Sequence, residues 1–174
     1  MPTADDPVVA PATVDSEFTE FVHSAGTGLY RSALLLTGDA HLAEDLVQDA
    51  LARTYRSWRR LHAAGNATAY TRKTMYHLQV SRWRRRRVAE TLTDATVEVA
   101  AAGPDHALRV TVRQALLRLT RSQRAVIVAR YFDDLSEVET ARLLGISKSS
   151  VHSRTSRALA RLAALAPELK GELS

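Results

Sequence analysis

Between Lys148 and Arg161 the chain sets Ser149, His152, Ser153, Ser156 and Arg157 at spacings of one, three and four, flanked by Lys148, Arg154 and Arg161. On a helix the first five share one face, and Val151, Thr155, Ala158, Leu159 and Leu162 share roughly the opposite one. These side chains are hydrogen-bond donors and cations, suited to reading the edges of base pairs rather than to breaking bonds. A helix so divided packs by its apolar side and offers hydroxyls, an imidazole and guanidinium groups to a major groove. Arg157 can bond a guanine edge in bidentate fashion, worth about 1–3 kcal/mol of base discrimination, whereas Lys148, Arg154 and Arg161 suit phosphates. The plainer reading is a solvated Ser/Arg face on a helical hairpin.

What precedes this helix argues for the sharper reading. Ser136-Glu137-Val138-Glu139 fits a capping box, in which the Ser hydroxyl accepts from the amide three residues on and Glu139 reaches back. Leu143-Leu144-Gly145 ends that short helix in a tight turn, because glycine tolerates the left-handed conformation. Ile146 plugs the turn and Ser147 caps the second helix. A capped helix, a glycine turn and a basic helix, in that order, make a helix-turn-helix.

A second cationic region lies in the middle of the chain. Between Ala50 and Ala89 there are eleven Lys or Arg and no acid: Arg53, Arg56, Arg59, Arg60, Arg72, Lys73, Arg82, Arg84, Arg85, Arg86 and Arg87. Each cation that neutralises a phosphate releases counterions, with a slope of about 0.9 per contact, so nucleic-acid binding here is expected to depend steeply on salt. Tyr70, Tyr76 and Trp83 are interleaved with the cations and can stack on unpaired bases, whereas Tyr55 and Trp58 sit on an apolar stripe and read as core. A surface merely solubilised by arginine is the bland alternative.

Just upstream the sign reverses. Glu44, Asp45, Gln48 and Asp49 form an acidic-polar patch near the start of a helix. The helix dipole favours acids there, but acids beside a DNA-binding surface repel phosphate, and a basic protein partner explains them better.

Several chemistries lack their residues. There is no cysteine, so no disulfide or thiolate metal site is possible. His23, His41, His62, His77, His106 and His152 are scattered without metal-ligand spacing, and no carboxylate cluster suggests two-metal catalysis, so neither a metal nor a cofactor is expected. No enzymatic activity is expected either. The first fifteen residues lack the basic start and apolar run of a signal peptide, and no apolar stretch is long enough to span a bilayer, so a cytoplasmic protein without membrane insertion is expected. A net charge of +5 favours a polyanionic partner.

The elements that must position these residues are all helical, since no window alternates long enough for a strand. Phe18, Phe21, Val22, Leu29, Ala33 and Leu36 form the stripe of a first helix, stopped by Gly38 with Asp39 capping the next. A second helix is expected from about Ala40 to Leu61, broken by Gly65-Asn66, and a third from Ala67 into the arginine run. From Val88 to Ala107 there is no Lys or Arg but four acids, ending in a Gly103-Pro104 breaker. Leu108, Val112, Ala115, Leu116 and Leu119 then form one stripe, and Ala125, Val126, Val128, Ala129 and Phe132 another. The expected architecture is all-α: a flexible tail over 1–15, a helical domain over 16–88, an extended acidic linker over 89–107, a helix-turn-helix domain over 108–165 and a short tail over 166–174. The two cationic domains would grip a duplex at separated places.

Ala43-Glu44-Asp45-Leu46-Val47-Gln48-Asp49-Ala50 followed by Trp58 closely resembles the most recurrent motif of extracytoplasmic-function sigma factors of the sigma-70 family. The stretch from Leu119-Thr120 through Ala125 and Tyr131 to Gly145-Ile146-Ser147, Ser150-Val151 and Ser153-Arg154 resembles their C-terminal promoter-binding domain. Tyr70 and Trp83 to Arg87 look most like an actinobacterial subgroup.

The resemblance implies a subunit of RNA polymerase that directs promoter-specific initiation. Glu44, Asp45, Gln48 and Asp49 would contact the clamp helices of the polymerase largest subunit, with the flap as a further contact. The loop from Gly65 to Tyr70 and the following helix would capture and melt the −10 element, through Asn66, Tyr70, Arg72, Lys73, His77, Arg82, Trp83, Arg84, Arg85 and Arg86. The recognition helix would read the −35 element through His152, Ser153, Ser156 and Arg157, with Lys148, Ser149, Arg154 and Arg161 beside them. An anti-sigma factor is an expected partner. The chain departs from the family at His77, where asparagine is usual. An autonomous helix-turn-helix repressor or activator is the alternative; it would need a dimer interface, and no heptad seam is visible.

Overall fold

The computed structural model describes residues 13–89 and 104–172. Among them the secondary structure is helical, in the order α1 (Val14–Thr37), α2 (Ala40–Arg56), α3 (Trp58–Ala63), α4 (Ala67–Ala89), α5 (Pro104–Leu117), α6 (Arg121–Ile127), a π-helical turn (Val128–Phe132), α7 (Glu137–Leu144) and α8 (Lys148–Glu172).

The expected punctuation is present at atomic detail. Gly38 ends α1 at φ 77°, its amide bonded to the Leu34 carbonyl, and the Asp39 carboxylate accepts from the Leu42 amide at the start of α2. One boundary differs from expectation. The second helix does not continue to Leu61 but breaks at Ser57, whose backbone leaves helical geometry at φ −112°, ψ 13°. The break turns Trp58, 2% exposed, against Phe18 and Phe21, at ring-centroid distances of 5.1 Å from each. Tyr55, expected in the core, stays 44% exposed, and its hydroxyl bonds the Asp15 carboxylate. The Tyr55 ring still meets Phe18 edge-on at 4.9 Å, but the buried aromatic partner of α1 is the Trp58 indole beyond the helix break.

The expected limits of tail and linker also shift. Thr13 caps α1, so Val14 and Asp15 belong to that helix rather than to a tail over 1–15. Of the linker expected over 89–107, Ala89 closes α4 and Pro104 opens α5, leaving 90–103 outside the described residues. Proline read as a breaker is here the first residue of a helix, where its missing N–H has no helical partner to lose. Helix α8 runs on to Glu172, so most of the tail expected over 166–174 continues it.

The two halves pack on each other. One apolar core contains Leu29, Ala33 and Leu36 of α1, Leu46 and Ala50 of α2 and Met75, Tyr76 and Leu78 of α4, together with Leu116, Leu119, Ala125, Val128, Leu143 and Ala158 from the C-terminal half. The two helical domains expected from the sequence therefore share a core in this state. Each half hides apolar area that it could not cover alone, and roughly 25 cal/mol per Å² of apolar surface removed from water favours the closure. A smaller cluster of Trp58, Leu61 and Ala67, with Phe18, Phe21 and Tyr70 against it, lies wholly in the first half.

Candidate nucleic-acid interface

The helix-turn-helix forms as its caps dictate. The Ser136 hydroxyl accepts from the Glu139 amide at 3.2 Å, and the Glu139 carboxylate accepts from the Ser136 amide at 2.8 Å. The Ser136 bonds, first that of its side chain and then that of its backbone, hold the Glu139 carboxyl below the usual range. Gly145 supplies the left-handed turn at φ 64°, and the Ser147 hydroxyl accepts from the Ser150 amide at 3.1 Å to open α8. Val151 and Ala158 are fully buried against the rest of the C-terminal half, which fixes the rotation of α8 about its axis. Leu159, expected on that buried face, is 43% exposed.

With α8 so rotated, Lys148, Ser149, His152, Ser156, Arg157 and Arg161 are exposed, while Ser153 and Arg154 are half-buried. His152 Nδ1 lies 3.2 Å from Glu137 of α7, so the imidazole is held across the two helices of the motif. Ser153 turns its hydroxyl inward to the Ser150 carbonyl at 3.3 Å. The structure thus brings Lys148, Ser149, His152, Ser156, Arg157 and Arg161 of the expected −35 residues to the outside of α8, and leaves Ser153 and Arg154 partly covered.

The acidic patch is also on the surface: Glu44, Asp45, Gln48 and Asp49 are all exposed along α2, whose other face buries Ala43, Leu46, Val47 and Ala50. Asp49 accepts from Arg82 of α4 at 2.7 Å, which ties the patch to the basic helix. At 58% exposure for the Asp49 side chain this pair is worth less than about 1 kcal/mol.

Apart from Arg82, which pairs with Asp49, the residues expected to take the −10 element divide into two groups. Asn66, Lys73, Arg84, Arg85 and Arg86 are exposed, and Tyr70 is half-buried against the aromatic cluster of α1 and α3. Arg72, His77 and Trp83 instead meet the C-terminal half. Arg72 Nε lies 3.6 Å from Asp133, and His77 Nε2 lies 3.0 Å from the Leu143 carbonyl. Trp83 packs at the edge of the core, with the Arg124 guanidinium 6.0 Å over its ring and its carbonyl accepting from Arg121 at 3.1 Å.

The sequence reading missed the residue at the centre of this contact. Asp133 follows the π-helical turn, and its side chain is 7% exposed. Its carboxylate accepts from Ser32 at 2.7 Å and from Tyr76 at 2.6 Å. Burial first, then the neighbouring Asp133 charge and hydrogen bond, hold the Tyr76 phenol well above its usual range. A signal was available: Asp133-Asp134 are the first acids after Asp105 in an otherwise basic stretch.

Among the described residues no group of three or more His, Asp or Glu could hold a metal ion, and no helix is long and apolar enough to cross a membrane. Outward cations, a helix-turn-helix and a helical first half define a DNA-binding protein of helical class. Residues 21–88 match the sigma-70 region 2 family and residues 109–162 match sigma-70 region 4. The chain is 39% identical over 148 residues to an RNA polymerase sigma-E factor of Streptomyces coelicolor, covering 84% of each chain. It is 30% identical over 145 residues to the ECF RNA polymerase sigma factor SigM of Mycobacterium tuberculosis, covering 79% of this chain and 70% of that one. Among solved structures, the sigma factor RpoE of Bartonella quintana, in complex with the anti-sigma factor NepR, superposes with a TM-score of 0.70 at 23% identity over 87% of this chain and 97% of that one. The chain belongs to the sigma-70 family, in its extracytoplasmic-function group. It is a sigma factor, a transcription-initiation factor of RNA polymerase, rather than an autonomous repressor or activator.

Proposed function

We propose that each charged surface described above serves one contact of initiation. Glu44, Asp45, Gln48 and Asp49 of α2 dock on the clamp helices of the polymerase largest subunit, and the C-terminal half meets the flap. Helix α4 and the loop before it, from Asn66 through Tyr70, Arg72, Lys73 and His77 to Arg82 and the Trp83–Arg86 run, take and open the −10 element. Helix α8 enters the major groove of the −35 element with His152, Ser153, Ser156 and Arg157 at the bases. Lys148, Ser149, Arg154 and Arg161 hold the backbone there. The protein works in the cytoplasm and performs no bond chemistry. An anti-sigma factor is a fitting partner, since RpoE and a second sigma factor of similar fold, CnrH, were each solved in complex with a partner, the anti-sigma factor NepR and the cytosolic domain of CnrY.

The observation that carries this reading is the exposure of an acidic patch on α2 together with that of a basic, groove-sized face on α8. In-vitro transcription with purified core polymerase across a promoter library tests it directly. Transcripts are expected only from promoters that share a −10 and a −35 sequence. Asp45→Arg reverses charge at an exposed position, so it should abolish co-purification with core polymerase while leaving helix content unchanged. Undiminished co-purification would remove α2 from the docking surface.

A further inference from the structure

We infer that the protein has a second single-strand site, a cationic cleft at the junction of α2 and α3, which takes the unpaired DNA strand on the start-site side of the −10 element and stacks one base on Tyr55. The inference extends the assignment of α4 and the loop at Asn66 to the −10 strand, and rests on it.

The cleft exists because α2 breaks at Ser57. The end of α2 and the start of α3 enclose an open space of about 580 Å³, walled by Tyr55, Trp58 and three arginines, Arg56, Arg59 and Arg60, with Val14 of α1 also in its lining. Clefts of about 300–1,000 Å³ hold small organic ligands, so a nucleotide has room here. All three arginines are exposed, and among the described residues none of them forms an ion pair. They belong to the cationic middle of the chain, yet neither the −10 nor the −35 contact uses them. Unpaired cations around a concave surface focus its field on an anion.

Tyr55 supplies the apolar half of the site. Its ring meets Phe18 edge-on at 4.9 Å and its hydroxyl donates to the Asp15 carboxylate, yet the residue stays 44% exposed. A ring held at two points and open to solvent loses little freedom when a base stacks on it. The charges orient the strand: Asp15 beside the ring repels phosphate and the arginines attract it, so the base goes to Tyr55 and the backbone to Arg56, Arg59 and Arg60. An acidic protein surface answers the arginines alone, whereas a nucleic-acid strand answers both the arginines and the ring. In a duplex the bases stack on one another, so the strand is single.

The cleft continues the path of the −10 strand. Helix α3 is six residues long, about 9 Å, and leads directly to the loop at Asn66. Tyr70 packs on the cluster of Trp58, Leu61 and Ala67, and Phe18, which meets Tyr55, packs on it too, so both tyrosines are tied to one aromatic support. The other end of α4 leads through Ala89 to the half that carries α8 and the −35 contact. The Asn66 end of α4 therefore faces the start site, and a strand opened along α4 reaches the cleft after the −10 element.

Fork DNA tests the site on holoenzyme assembled from purified core polymerase. Both forks carry the −35 and −10 sequences selected by the promoter library; the single strand of one ends at the last −10 nucleotide, and that of the other runs a few nucleotides further. The longer fork should bind about tenfold more tightly, the scale of one stacked base. Tyr55→Ala should remove that gain and leave the short fork unchanged, whereas Tyr55→Phe, which keeps the ring and loses only the Asp15 bond, should retain it. Arg59→Gln and Arg60→Gln should each shrink the gain and lower the salt slope on the long fork by about 0.7, the value for one single-strand phosphate contact. Equal wild-type affinity for the two forks overturns the proposal, as does a Tyr55→Ala variant that keeps the full gain or weakens both forks alike. A gain that persists when the extension is made duplex also overturns it, and so does loss of core binding on Arg59→Gln, which assigns the arginines to the polymerase. The −10 assignment is read from the short fork alone. If scrambling its −10 sequence leaves wild-type affinity unchanged, that assignment fails and the second site with it; if the short fork discriminates and the extension adds nothing, only the second site fails.

Discussion

Arg124 and Leu36 stand 88 positions apart, yet the Arg124 guanidinium donates to the Leu36 carbonyl at 3.0 Å. The same side chain donates to the carbonyls of Leu116 at 3.0 Å and Leu117 at 3.2 Å, so it closes the C-terminal ends of α1 and α5 together. Carbonyls in a last helical turn have no helical donor, and a buried one left unpaired costs about 1–3 kcal/mol. Burial, and then the charge of Arg121, lower the Arg124 pKa to about 10, which still leaves it protonated at neutral pH. One buried cation therefore joins the two halves of the protein from the side opposite in sign to Asp133.

Arg124→Lys tests this role. A lysine offers a single ammonium in place of a planar fork and cannot reach both helix ends at once. Chemical denaturation is expected to show a loss of about 2–3 kcal/mol, and a midpoint equal to that of the wild type would remove Arg124 from the set of structural ties.

Gly38 and Gly145 form an internal comparison. Both are left-handed, at φ 77° and 64°, so alanine at either strains the backbone by about 1–2 kcal/mol. Only at Gly38 would the new Cβ also collide with the methyl groups of Leu117; at Gly145 nothing lies within 4 Å. Gly38→Ala should therefore destabilise more than Gly145→Ala, and Leu117→Ala should recover part of the difference. Equal losses in thermal melts would show that the Gly38–Leu117 approach carries no stability.

The capping box of α7 predicts a pH dependence. The folded pKa of Glu139 lies below its ordinary value of 4.5 because the charged form accepts from Ser136. Its contribution is therefore fully present above that ordinary value and is lost as pH falls through the lower folded one. Glu139→Gln keeps an acceptor but no titrating group. The wild-type advantage over this variant in thermal melts should be largest near neutral pH and should shrink as pH drops below 4.5. A gap that stays constant into acid would show that the charge on Glu139 contributes nothing.

On α8 two substitutions should separate reading from holding. Arg157→Ala is expected to relax −35 base preference at one position, worth about 1–3 kcal/mol of discrimination. Lys148→Ala should weaken binding to all sequences alike and reduce the salt slope by about 0.9. These are measured as holoenzyme affinities for a panel of −35 variants at several salt concentrations. A Lys148 variant that changes sequence preference would exchange the two roles.

Much of the molecule is legible in the linear order of residues because its signals are local. The stops and caps at Gly38, Asp39, Ser136, Gly145 and Ser147 act within one helical turn, and each is present as read. The acidic patch on α2 and the split face of α8 follow from helical periodicity alone, and both face solvent. Where several helices compete for the same interior, periodicity does not decide. Tyr55 and Leu159 lie on apolar stripes, yet both remain exposed while Trp58 and Ala158 are buried, and Tyr55 meets Phe18 only edge-on.

The chain by itself determined the helical class, the helix ends that carry a cap or a glycine stop, the helix-turn-helix and the placing of opposite charges on separate surfaces. Each of these is a property of neighbours in sequence. Only the tertiary structure decided that the two halves close on a shared core, that Arg124 and Asp133 tie them, and that Arg72 and His77 are engaged within the protein. Those choices depend on which distant groups desolvate each other, and the partners of a buried charge are set by packing rather than by spacing along the chain.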